Sequence, residues 1–188
     1  MPQRICPWWM GPLLLNPLRR WAIGPEKLLA PYVREGMTVL EPGPGMGFFT
    51  LPLASLVGPH GKIIAVDIQA KMLERLRERA VRAQVVDRLE TRIGTRDSLQ
   101  IIDLVGSIDF ALAFAMVHEV HSAERFFHEV AATLRPGAAL LLVEPSGHVR
   151  NEKFDAEIEA AQAAGLVVAQ TPKISRSHAS LLRKPVTS

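Results

Sequence analysis

The chain has 188 residues, of which 48% are hydrophobic and 22% are charged, and its formal net charge is +3. This composition excludes a disordered or low-complexity chain and is typical of a soluble globular protein with one full core. The single cysteine, Cys6, excludes an internal disulfide framework, and no apolar run reaches the roughly 20 residues of a membrane-spanning helix. We therefore expect a cytoplasmic protein without a membrane partner.

The beginning of the chain differs in composition from the rest. Residues 1–24 hold all three tryptophans, and prolines and glycines interrupt them too often for a long helix. They also lack the continuous apolar stretch of a secretion signal. Because Pro25 suits the first position of a helix, we divide the chain into an N-terminal lid or arm, 1–24, and a main domain, 25–188.

A strand, a glycine-rich turn and a helix are predicted between Met37 and Leu56. The apolar strand ends at Glu41, and three alternating glycines follow before an apolar helical stretch; they are Gly43, Gly45 and Gly47. Such a turn brings a ligand close to bare backbone N–H groups. It is not a dinucleotide-binding fingerprint, because Phe48 stands where that motif needs glycine or alanine, and the Gly-Lys-Ser/Thr ending of a P-loop is absent.

The next predicted strand, Ile63–Val66, ends at a second acidic residue. Asp67 lies about 20 residues beyond the glycine loop, where a carboxylate can accept hydrogen bonds from both hydroxyls of a ribose. The alternative is a capping role at the start of the following helix, and the two roles are compatible.

The pattern Glu-x-Gly-x-Gly-x-Gly followed by Asp67 resembles the class I S-adenosylmethionine-dependent methyltransferases, and the resemblance covers about residues 25–184. It implies an α/β fold: a Rossmann-like, doubly wound, seven-stranded and mostly parallel sheet with an antiparallel last strand and helices on both faces. It also implies S-adenosylmethionine as the cofactor. Glu41 would then contact the methionine part, the three glycines would pass beneath the cofactor, and Asp67 would hold the ribose.

The resemblance assigns two further residues to the adenine. Ile68 would touch the face of the ring, and Asp97 is our candidate for the acceptor from its amino group, with a helix cap as the alternative role of Asp97. Five more strands complete the predicted sheet, the last two paired antiparallel; they are Leu89–Ile93, Ile108–Phe114, Leu140–Val143, Leu166–Ala169 and Ile174–Leu182.

Two histidines follow predicted strand ends. Phe114 ends the fourth strand, and we expect it to line the cofactor cleft with the segment that leads to His118; His148 follows the fifth strand. Either imidazole can act as a general base or accept a hydrogen bond from a substrate, and a wall or capping role is the alternative for each. Glu144, at the end of the fifth strand, either faces the substrate or ends the sheet.

A metal site is not predicted. His118-Glu119-x-His121 differs from the His-Glu-x-x-His motif, which places two ligands one helical turn apart, and no third ligand is evident.

We predict an enzyme that moves a methyl group from S-adenosylmethionine to a small-molecule acceptor by in-line displacement. The fourth strand lacks the Asp/Asn-Pro-Pro-Tyr/Phe segment of similar amino-methylating enzymes, which disfavours that class. Cys6 lies far from the position of a cysteine nucleophile, which disfavours methylation of pyrimidine carbon.

The alternatives are a regulatory or partner-binding protein of the same fold that binds S-adenosylmethionine, and an RNA methyltransferase. Glu74 and Glu78 alternate with the arginines of the predicted helix 69–83, which disfavours nucleic-acid binding. The tryptophan-rich arm would act as a lid or as a homodimer contact.

Overall fold

The computed structural model describes residues 23–186. The tryptophan-rich arm therefore lies outside the described residues, apart from its last two. The described chain forms two compact units, one up to Thr95 and one from Arg96 onwards.

Between residues 23 and 95, the first unit contains three parallel strands and three α-helices. The strands are β1 (Thr38–Pro42), β2 (Lys62–Asp67) and β3 (Leu89–Ile93), and β2 pairs with both of the others. The helices are α1 (Pro25–Leu29), α2 (Thr50–Leu56) and α3 (Ala70–Arg82). Strand β2 is buried from Ile63 to Val66, as expected for a parallel strand that is covered on both faces.

The second unit contains four strands and two helices. The strands are β4 (Ile108–Phe114), β5 (Leu134–Pro145), β6 (Val167–Gln170) and β7 (Ser177–Arg183), and the helices are α4 (Ala123–Thr133) and α5 (Asn151–Ala163). Strands β4 and β5 are parallel, whereas β7 runs antiparallel to both β5 and β6. Helix α4 begins after the capping residue Ser122, whose hydroxyl accepts a hydrogen bond from the N–H of Arg125.

All seven strands belong to one sheet in the order β3-β2-β1-β4-β5-β7-β6, which confirms the predicted fold class. The bounds of two strands differ clearly from the prediction. Strand β5 begins at Leu134 rather than at Leu140, because the residues before Leu140 are tied into the sheet: Gly137 donates its N–H to the carbonyl of Lys184. Strand β7 begins at Ser177 rather than at Ile174. The last two strands pair antiparallel as predicted, with β7 between β5 and β6, so that β6 forms one edge of the sheet and β3 the other.

None of the helices among residues 23–186 combines the length and the apolar character that crossing a membrane requires.

Candidate functional site

The glycine-rich loop joins β1 to α2 in the first unit. All three of its glycines have positive φ: 66° at Gly43, 55° at Gly45 and 86° at Gly47. A Cβ at Gly45 would meet no atom within 4 Å, so this glycine borders open space. A Cβ at Gly47 would lie 2.4 Å from Cδ1 of Leu76, so this glycine lets the loop pack against α3. The loop thus packs against α3 at Gly47 and leaves room for a ligand at Gly45.

Hydrogen bonds hold this loop in place. The N–H of Gly43 donates to the carbonyl of Val66 over 2.8 Å, and the N–H of Gly47 donates to the carbonyl of Pro44 over 2.9 Å. The guanidinium of Arg79, on α3, donates to the carbonyl of Met46. The backbone of the loop is therefore fixed to β2, to itself and to α3.

Glu41 is buried at the end of β1, and only 3% of its surface is exposed. Its Oε2 accepts a hydrogen bond of 2.6 Å from the hydroxyl of Thr50. Burial raises the pKa of Glu41 to about 7; the Thr50 hydrogen bond opposes this rise, and the charge of Asp67 adds to it. A positively charged ligand group beside Glu41 would favour the ionised carboxylate.

Asp67 ends β2 and is half-buried. Its Oδ1 accepts a hydrogen bond of 2.9 Å from the N–H of Gln69, so the carboxylate shapes the entry into α3. Ile68, beside it, is 37% exposed although it is apolar. A partly accessible carboxylate can accept hydrogen bonds from the hydroxyls of a ribose. An exposed apolar side chain next to it can pack against the base of the same nucleoside. Together with the open space at Gly45, these residues fit S-adenosylmethionine.

The second unit brings together a histidine and a buried glutamate. His118 lies in a short 3₁₀ turn after β4, Val117–Glu119, and its Nδ1 is 2.5 Å from Oε2 of Glu144. Glu144 is completely buried in β5. Its Oε1 accepts hydrogen bonds from the backbone N–H groups of Val117 (2.7 Å) and His118 (3.2 Å). Glu144 therefore fixes both the turn and the orientation of the imidazole.

This contact determines which nitrogen of His118 can accept a proton. Burial lowers the pKa of His118, but the hydrogen bond and the charge of Glu144 outweigh burial, and the pKa is raised overall. When Nδ1–H donates to the carboxylate, the lone pair of the neutral ring is on Nε2. The side chain of His118 is 18% exposed, and its Nε2 is 3.8 Å from Oε1 of Glu119. Lys153 anchors the turn by donating to the carbonyl of His118 over 3.0 Å.

The other predicted site residues occupy different positions in the second unit. His148 is exposed in the turn after β5, where its N–H donates to the carbonyl of Pro145. Phe114 is half-buried at the end of β4, and Asp97 is exposed in a bend. Their roles stay predictions, as do those of the other candidate residues.

Sequence reasoning overlooked Thr50, Arg79 and Glu157. Nothing in the sequence marks Thr50 or Arg79 as partners of the glycine-loop segment. Glu157 did carry a signal, since it interrupts the otherwise apolar buried face of α5.

Among residues 23–186, no group of three His, Cys, Asp or Glu side chains is arranged to hold a metal ion.

Known proteins that are similar to this chain in sequence include methyltransferases. Residues 40–142 match a family described as a methyltransferase domain. Over 156 residues the chain is 30% identical to the ubiquinone/menaquinone biosynthesis C-methyltransferase UbiE of Hahella chejuensis, a match that covers 80% of this chain and 61% of the relative. The chain therefore spans less than two thirds of the length of that relative.

Solved structures show the same fold at low sequence identity. A SAM-dependent methyltransferase from Aquifex aeolicus is similar with a TM-score of 0.83 and 22% identity, covering 95% of this chain and 98% of that chain. The [4+2]-cyclase SpnF is similar with a TM-score of 0.72 and 16% identity, covering 86% of this chain and 81% of that one.

Replacing Gly47 should destabilise the protein more than replacing Gly45. Both Gly→Ala substitutions place a side chain at positive φ, at a cost of about 1–2 kcal/mol. Gly47→Ala also forces a methyl group against Leu76, which is fully buried and has little room to move, and overpacking adds about 1–3 kcal/mol. Urea denaturation measures both free energies of unfolding, and equal losses would contradict the packing of the loop on α3.

Glu41→Gln should stabilise the protein at alkaline pH and have little effect at pH 4. The pKa of Glu41 rises on folding from 4.5 to about 7, so the folded state binds more protons between these values and its stability falls as the pH increases. The neutral amide avoids this loss, which reaches about 3 kcal/mol above pH 7. Unfolding at pH 4, 6 and 8 provides the test, with the exposed Glu35→Gln as the control. A gain that does not depend on pH would contradict the prediction.

Proposed function

The chain belongs to the class I S-adenosylmethionine-dependent methyltransferase family, and we propose that it methylates a small-molecule acceptor with the help of His118 as the general base. The single observation that supports this role best is the contact of 2.5 Å between His118 and the buried Glu144. A base held in one orientation by a buried carboxylate is a recurring arrangement in enzymes that take a proton from their substrate.

The first unit provides the proposed cofactor site. Gly43, Gly45 and Gly47, with their positive φ values, would let the backbone lie against the cofactor, the buried Glu41 would contact its methionine part, and Asp67 would hold the ribose. When bound, S-adenosylmethionine supplies a methyl group on a sulfonium that is already activated for in-line displacement. The residues of the site must then bind and orient the two reactants and exclude water.

The second unit provides the proposed base. Nε2 of His118 takes the proton that a hydroxyl or carbon acceptor loses when it is methylated. Glu144 accepts the hydrogen bond of Nδ1–H, which orients the ring, and its carboxylate stabilises the imidazolium that forms. The C-methyltransferase name of the Hahella relative supports an acceptor of this kind. An amine acceptor would need only to be uncharged, so loss of His118 would affect its methylation much less.

A binding protein without methyl transfer is the second candidate. The [4+2]-cyclase on the same fold shows that the fold itself does not require methyl transfer. The proposal has four further parts. The protein is located in the cytoplasm, and His148 is a second catalytic residue. The cofactor is also contacted by Ile68, Asp97 and Phe114, and residues 1–24 form a lid or a homodimer contact.

Calorimetric titration should detect binding of S-adenosylmethionine and S-adenosylhomocysteine but not of NAD. Asp67→Ala should weaken both sulfur ligands at least about tenfold, since hydrogen bonds to a charged group contribute about 1.5–3 kcal/mol. Asp87→Ala, an exposed position in the same unit, should leave both affinities unchanged. If the folded protein binds neither sulfur ligand, both candidate functions are wrong.

His118→Asn should lower kcat for methyl transfer by about 10²–10⁴-fold, the usual contribution of general base catalysis, and leave the affinity for S-adenosylmethionine unchanged. The rate of the unmodified protein should rise with pH through the raised pKa of His118, because only the neutral ring accepts a proton. Transfer of a labelled methyl group to a pool of small metabolites, with total RNA as a parallel acceptor, measures the rate. His128→Asn, exposed on α4, is the control. Full activity in His118→Asn, or transfer to RNA alone, would refute the proposal.

A further inference from the structure

Glu157, on α5, is a buried acid that the proposed reaction does not use. Only 3% of its surface is exposed, and neither carboxylate oxygen has a hydrogen-bond partner within the part of the chain that the structure describes. The rest of the buried face of this helix is apolar: Phe154, Ala160 and Ala161. An unpartnered carboxyl group in such a place is costly, and a buried polar group of this kind requires an explanation.

The packing of α5 places Glu157 beside the His118–Glu144 pair. One helical turn before Glu157, Lys153 donates to the carbonyl of His118. The ring of Phe154 lies 5.4 Å from the ring of His178, measured between centroids. His178 is the register partner of Glu144 in the antiparallel pair of β5 and β7, and opposite residues in such a pair project from the same face. Helix α5 therefore covers the face from which Glu144 projects.

The charged and titratable groups around Glu157 come from several elements. Glu144 projects from β5, His118 and Glu119 lie in the turn after β4, and Lys153 is on α5 itself. His178 comes from β7, where its Nε2 is 3.0 Å from the carbonyl of Val149. Helix α4, which also packs on α5, has an uncharged buried face: Phe126, Phe127, Val130, Ala131 and Thr133.

These surroundings favour the neutral carboxyl group. Burial, together with the charge of Glu144, raises the pKa of Glu157 to about 7, although Lys153 and His118 act in the opposite direction. Glu157 therefore changes its charge near neutral pH, next to a carboxylate whose hydrogen bond controls His118. A second negative charge at this place favours the imidazolium form of His118.

We propose that Glu157 is a positioning residue for methyl transfer, which sets the proton affinity of His118 through the negative charge that it can place near Glu144 and the imidazole. With Glu157 neutral, the imidazolium is balanced by Glu144 and by Glu119, without a further charge from α5, and the imidazole gives up its proton more readily. With Glu157 ionised, His118 holds its proton more tightly. This inference rests on the proposed role of His118 as the base.

The titration of the His118 ring, followed by NMR without cofactor or acceptor, tests the coupling directly. Glu157→Gln removes the charge and keeps the shape, so the pKa of His118 should fall by about 0.5 units or more, which is about a threefold loss of proton affinity. Glu159→Gln, exposed on the same helix, should leave that pKa unchanged. If the amide does not fold, Glu157→Met suits the apolar face and should give the same fall. An unchanged pKa of His118 in a folded variant overturns the proposal.

The rate of methyl transfer as a function of pH tests whether the coupling serves the reaction. In Glu157→Gln the midpoint of kcat/KM should move to lower pH by the same amount as the NMR titration, with the KM for S-adenosylmethionine unchanged. A shifted NMR titration with an unchanged rate profile overturns the role of Glu157 in methyl transfer. If the unmodified protein transfers no methyl group, the proposed function fails, and the NMR titration still decides whether Glu157 acts on His118.

Discussion

A carboxylate that is taken out of water must be paired, hydrogen-bonded or protonated, and this constraint governs the candidate sites of both units. Among the described residues, three acidic side chains are buried, and each meets the constraint differently. Glu144 is paired with His118 and accepts two backbone N–H groups, and Glu41 accepts one hydroxyl. Glu157 has no hydrogen-bond partner within residues 23–186. The fully bonded acid is the one suited to orient a base. The other two are suited to respond to a ligand or to a neighbouring charge.

The glycine loop of the first unit is subject to a second constraint. Its backbone groups need hydrogen-bond partners, and the turn must also leave space for a ligand. The N–H groups of Gly43 and Gly47 are bonded to β2 and to the loop itself, and Arg79 on α3 donates to the carbonyl of Met46, so contacts within the protein hold the loop in its shape. A preformed loop lowers the conformational entropy that binding would otherwise cost. Methyl transfer from an activated donor depends mainly on orientation, so rigidity in the donor site suits this chemistry. The proposed base has the opposite need, a proton affinity that its surroundings can adjust, and the raised pKa values of His118 and Glu157 are consistent with such surroundings.

The sequence by itself determined the order of strands and helices and the glycine-rich turn, because these depend on residues that are close together in the chain. Strands β3 and β4 have the predicted limits, the Ser122 cap begins α4, and the sheet has seven strands of which β7 is antiparallel. Periodicity and turn residues encode such features locally. The tertiary structure alone decided which side chains meet. The partners His118 and Glu144 are 26 positions apart, and Glu41 and Thr50 are nine apart. Only the strand order and the packing of α5 bring Glu157 close to Glu144, and only burial raises the pKa of Glu157, since an acid on a helix face exposed to water would keep its ordinary pKa.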